Sequence, residues 1–151
     1  MNVSSSLDYL FNLSQMRHEK PLWLSQEVPR RFVVCLTDRK YRKGMIVSEQ
    51  DNILSFSMEW LTLTGLDDKS KYKLAEYALA SSQEFSSALF FTVDRELTTL
   101  WVYYRVMSSV DATTTVAQYD YARTALSHYI EQPIPWQVVL RSDWTFQQSI
   151  N

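Results

Sequence analysis

Apolar positions along this chain fall into two rhythms, and one stretch obeys neither cleanly. Between residues 5 and 17, Leu7, Leu10, Phe11 and Ser14 recur at i, i+3, i+4 spacing, with Leu13 and Met16 widening the stripe. That spacing predicts an amphipathic helix. Pro21 lies beyond its end, and the residue ahead of a proline is pushed out of the helical region. A period of two then predicts strands over 30–37, 44–49 and 53–63. In the third, Leu54, Phe56, Met58 and Trp60 alternate with Ser55, Ser57, Glu59 and Leu61, as in an antiparallel strand with one wet face. Polar turns at Asp38-Arg39-Lys40 and Gln50-Asp51-Asn52 separate the three, as a meander requires. After Gly65, Asp67-Asp68 open a second helix to about Ser82, with Leu74, Ala75, Ala78, Leu79 and Ser82 along one side. Asp111 and Thr113 to Thr115 supply start signals for a third helix. Val116, Tyr119, Ala122, Leu126, Tyr129 and Ile130 run down its face until Pro133 and Pro135 stop it.

The stretch that fits less well is LFFTVDRELTTLWVYYRV, residues 89–106. Two runs of aromatic and β-branched residues around Asp94-Arg95-Glu96 predict a hairpin. Both of its faces are apolar. Leu100, Val102, Tyr104 and Val106 point one way and Trp101, Tyr103 and Met107 the other, whereas an antiparallel sheet in a small protein commonly buries one face and wets the other. The element order is helix, three strands, helix, two strands, helix. It predicts an α+β fold: a twisted, antiparallel, five-stranded sheet with three helices gathered on one side. Those helices cover one hairpin face. An apolar patch left on the other marks a partner, and a twofold dimer is the commonest way to hide it. On this argument Phe90, Trp101 and Tyr103, with Leu79 nearby on the second helix, form a dimer interface.

Length fits a single domain over residues 1–151, with a possible extra C-terminal segment, 137–151, that carries Val138, Val139, Leu140, Trp144 and Phe146. The chain shows no internal repeat, low-complexity stretch or linker. Aromatic residues make up 14% of it, more than a core of this size needs, and aromatics are enriched at interfaces. A net charge of −2 gives no footprint for nucleic acid, which calls for a basic face. The first residues, Met-Asn-Val-Ser-Ser-Ser, lack the basic and long apolar regions of a signal peptide, so none is expected, and no run approaches the roughly 18 apolar residues of a membrane span. With Cys35 the only cysteine, no intramolecular disulfide can form, and a cytoplasmic location is expected.

Candidate chemistry is sparse. Gly44 and Gly65 are the only glycines and stand far apart, which excludes the glycine-rich phosphate cradles and with them the usual nucleotide cofactors. Two histidines and one cysteine, without metal-ligand spacing, make no conventional zinc site. A nucleophilic pair of Cys35 with His18 or His128 is conceivable in three dimensions. Cys35, however, sits in the run Phe32-Val33-Val34-Cys35-Leu36 and is expected to be a buried small hydrophobe, slow to alkylate. His18 lies in a polar run, and His128 falls near a helix end that favours a cation. Asp67-Asp68 suit a helix first turn. The expectation is therefore no catalytic residue, no metal and no cofactor.

The succession α-βββ-α-ββ-α in a small, acidic, glycine-poor chain resembles the class I chaperones of bacterial type III secretion, the Tir-chaperone-like family. Three stretches carry the likeness: the first helix SSLDYLFNLSQM, the segment YKLAEYALASSQEFSSALFFTVDRELTTLWVYYRV, and the closing helix that ends near HYIEQPIPW. The chain departs from that pattern in lacking glycines around the hairpin and in its aromatic tail past Trp136. The resemblance implies a homodimer built around the second helix and the hairpin. It also implies a client, the extended N-terminal segment of a secreted effector, kept competent for secretion. Leu7, Leu10 and Phe11 of the first helix, with Trp23, Leu24, Phe32 and Val34 of the early strands, are the expected lining of the client's pockets. Taken one by one, each of these residues reads more readily as plain core. A permanent adaptor or structural subunit of a secretion or other assembly is the alternative, and an enzyme built around Cys35 and a histidine is a third reading.

Overall fold

The computed structural model describes residues 5–36, 44–82, 89–94, 96 and 98–131. Among these described residues nine elements follow one another: α1 (Ser6–Met16), β1 (Leu22–Ser25), β2 (Arg31–Cys35), β3 (Gly44–Gln50), β4 (Ile53–Thr62), α2 (Asp68–Ser82), β5 (Leu89–Val93), β6 (Thr99–Met107) and α3 (Ala112–Glu131). The fold is α+β with three helices. Within the described residues its sheet has six strands rather than five, in the order β1-β2-β3-β4-β6-β5, with every neighbour antiparallel. The additional strand, LWLS, lies between Pro21 and Pro29 and is four residues long. So short a segment between prolines carries no readable alternation. It becomes a strand because β2 offers it a free edge: Leu22 pairs with Val33 and Trp23 with Phe32.

Local chemistry sets the joints. Ser5 caps α1 by accepting from the Asp8 N–H, and Asp111 caps α3 by accepting from Thr114 N–H at 3.0 Å. Asp51 and Asn52, both in the left-handed region with φ of 54° and 64°, make the two-residue turn between β3 and β4. Positive φ at both central positions is what the twist of a tight hairpin demands, and Asn and Asp tolerate it. At the second hairpin the Asp94 carboxylate accepts from the Thr98 and Thr99 N–H groups at 2.7 and 2.8 Å. The Thr98 hydroxyl donates to the same carboxylate, and that bond, with the N–H bonds after it, holds the Asp94 pKa below the ordinary carboxylate value.

One face of the sheet is the core. Phe32 and Val34, Met45 and Val47, Leu54, Phe56 and Met58, Leu100 and Val102, and Leu89 and Phe91 line it strand by strand, all buried. Leu7 and Leu10 of α1, Leu74 of α2, and Tyr119, Ala122 and Leu126 of α3 join the same cluster, so all three helices lie on this side. Ion pairs tie the segment that follows α1 to α3 at the rim: Arg17 with Asp120 at 2.7 Å and Glu19 with Arg123 at 2.8 Å. Tyr119 donates to Glu19 from beneath them at 2.9 Å.

Candidate functional site

Side chains of alternate strand residues must point away from the helices, and they build a second face. Register places them in rows across the strands. One row runs Leu22, Val33, Ile46, Ser57, Tyr103, Phe90, through every strand of the sheet. The next runs Arg31, Ser48, Ser55, Arg105, and Trp101 stands opposite Glu59 and Thr92. The hairpin's two apolar faces therefore part company. Leu100 and Val102 are buried under the helices, while Trp101, Tyr103 and Phe90 lie half-buried on a face to which no described helix contributes.

That face has its own internal packing. Phe90 and Tyr103 stack with centroids 5.5 Å apart and planes 7° from parallel. The Arg105 guanidinium lies over both rings, 5.5 Å from Phe90 and 5.1 Å from Tyr103, an arrangement that favours the cation through the ring quadrupoles. A shallow depression of about 560 Å³ opens beside them over the middle strands, with Ser48, Ser55 and Ser57 along its floor. Ser57 is nearly enclosed there, whereas Met107 at the far end of β6 is 68% exposed.

A second feature sits at the β1 edge. Phe11 of α1 stacks on Trp23 at 4.7 Å, and both meet the edge of Phe32 at 5.3 and 5.6 Å. Arg30 lies over the Trp23 ring at 4.8 Å and grips Asp8 with two bonds, of 3.0 and 2.7 Å. The Arg30 bond and charge keep the Asp8 carboxyl below its usual pKa. Beside this cluster Leu22, Leu24 and Val28 are exposed. An outer strand with unpaired backbone groups and apolar side chains is a template for another chain.

The seven residues expected to line client pockets divide by depth. Leu7, Leu10, Phe32 and Val34 are fully buried in the core, where their contacts are with this chain itself. Phe11 and Trp23 are half-buried against that core, and Leu24 is exposed. Of the four interface candidates, Phe90, Trp101 and Tyr103 come together on the open face. Leu79 belongs to α2, but its side chain falls outside the described residues. So does the segment 137–151. Cys35 overturns its expectation: it is exposed, because alternation turns Phe32 and Val34 inward and Cys35 outward. A continuous apolar run had hidden that alternation. His18 and His128 are exposed, at the end of α1 and in the last turn of α3. Among the described residues no group of three or more His, Cys, Asp or Glu could hold a metal, and no helix is long and apolar enough to cross a membrane.

A further depression of about 570 Å³ lies where the N-termini of α1 and α3 converge. Glu49 occupies it: its carboxylate accepts from the Leu7 N–H at 3.4 Å and from Ser108 Oγ at 2.5 Å. A carboxylate at a helix N-terminus is electrostatically favourable, and here it joins α1 to the end of β6.

Comparison with known protein families and with curated proteins returned no match. Among solved structures, the heterodimeric ExoU–SpcU complex from the type III secretion system of Pseudomonas aeruginosa contains a similar chain. It is 17% identical, with a TM-score of 0.39, over 65% of this chain and 79% of that one.

Proposed function

We propose that this chain is a non-enzymatic chaperone of the secretion type. In this reading it acts in the cytoplasm, pairs with a second copy of itself, and holds the extended N-terminal segment of a secreted effector ready for export. The observation that carries the reading is a sheet whose second face, with Phe90, Trp101 and Tyr103 on it, is met by none of the described helices. An aromatic face of that kind is favourable only when something covers it. Apart from the additional strand β1, the order of elements resembles that of the Tir-chaperone-like family, which supports the same reading.

The client has a natural entry at β1. A peptide added as a strand gains main-chain hydrogen bonds along the edge, and its alternate side chains seat in pockets. Phe11, Trp23 and Leu24 reach that surface, while Leu7, Leu10, Phe32 and Val34 form the wall behind it. Purification of the chain from its native host with whatever stays bound, followed by limited proteolysis, tests the reading. A chaperone protects a short segment near the N-terminus of its partner and leaves the rest of the bound partner open to protease. A partner gripped through a folded, protease-resistant domain would make the chain an adaptor instead.

A further inference from the structure

Five arginines are described in full, and three of them have a carboxylate within reach: Arg17 on Asp120, Arg30 on Asp8 and Arg123 on Glu19. The other two, Arg31 and Arg105, have no ion pair among the described residues, and both are exposed on the open sheet face. They are not scattered. Arg31 pairs with Ser48, Ser48 with Ser55, and Ser55 with Arg105, so one straight row crosses β2, β3, β4 and β6 with a cation at each end and two hydroxyls between. The same row floors the depression described above.

Geometry narrows what fits. Three strand spacings of about 4.8 Å separate the two arginine positions by roughly 14 Å. An extended peptide rises about 3.3 Å per residue and turns residues i, i+2 and i+4 to one side, so its i and i+4 side chains are roughly 13 Å apart. A second copy laid row on row would bring arginine against arginine, whereas a carboxylate at each end gives charge-assisted, two-pronged bonds. We propose that this row receives an extended acidic segment of a protein partner, laid across the strands, with carboxylates four residues apart on Arg31 and Arg105 and a small side chain over Ser48 and Ser55. The inference rests on the partner being a polypeptide, as in the chaperone reading, and names the chemistry by which part of it is recognised.

The test uses the full chain, isotope-labelled for amide NMR, and a synthetic peptide with Glu at two positions four apart and Ala between. Lys and Gln versions of that peptide and an oligouridylate serve as comparisons. The Glu peptide is expected to shift the amides of Arg31, Ser48, Ser55 and Arg105 saturably and to release in about 0.5 M salt, where exposed charges are screened. Its affinity should fall at least tenfold in Arg31→Ala/Arg105→Ala. Both positions are exposed, so the variant should keep its fold, and unchanged thermal unfolding confirms it. The reversed variant, Arg31→Glu/Arg105→Glu, should take the Lys peptide instead. Equal binding of the Glu, Gln and Lys peptides, or undiminished binding by the alanine variant, would overturn the proposal. Preference of the row for oligouridylate would do the same. So would loss of the dimer in Arg31→Ala alone, away from the Phe90–Tyr103 stack, which would make a second copy the occupant. A native partner that binds the alanine variant at full strength also overturns the acidic row, and leaves the chaperone reading to its own proteolysis test.

Discussion

Tyr119 shows how much one side chain can fasten. Its ring is fully buried under α1, edge-on to Phe56 at 6.2 Å, and its hydroxyl donates to Glu19. Burial raises its pKa to about 12, because the phenolate would have to form away from water and beside a carboxylate. A phenol whose folded pKa lies above its unfolded value of 10 lends stability that is complete below pH 10 and lost as pH climbs to about 12. Tyr119→Phe keeps the ring and removes the bond to a charged acceptor, at a cost of roughly 1.5–3 kcal/mol in chemical unfolding. Its stability should also decline less steeply between pH 10 and 12 than that of the parent. An unchanged alkaline decline in the variant would locate that proton elsewhere.

At the scale of elements, much of the architecture is legible in the sequence, because long periodic segments declare themselves. The 3.6-residue stripe gives α1, the alternation in 53–63 gives β4, and the charged break at 94–96 gives the hairpin, with ends shifted by a residue or two. What is not legible depends on neighbours. β1 is a strand only because β2 has an edge to offer, so the five-strand expectation falls one short. The row from Arg31 to Arg105 joins residues 74 positions apart and exists only once register is known, although an arginine at an outward position of two strands is a faint signal of it. Cys35 is the clearest lesson: in β2 it is direction, not hydrophobicity, that decides exposure. A thiol reagent should label Cys35 in the folded protein about as fast as in the unfolded chain. Labelling slowed a hundredfold by folding would place β2 with its other face outward and invert the rows built on it.

At the scale of the whole molecule, one question organises the fold: what lies on the face opposite the helices. Phe90 and Tyr103 already cover one another and lie under Arg105, and Trp101, two residues along β6 from Tyr103, is half-buried as well. At most about a third of the 150–250 Å² that an aromatic ring can bury therefore remains to be covered. Three rings from each of two copies then contribute at most on the order of 10 kcal/mol at about 25 cal/mol/Å², and association costs consume half or more of it. That balance suits a dimer held at micromolar concentration. Trp101→Asp sets an uncompensated charge in the interface and should give monomers or aggregates. Asn12→Asp, the same added charge on the exposed side of α1, should leave the assembly as it is. Light scattering of the unmodified chain at micromolar concentration is the most direct measurement: the account predicts a mass twice that of the 17.8 kDa subunit, and a mass of one subunit would contradict it.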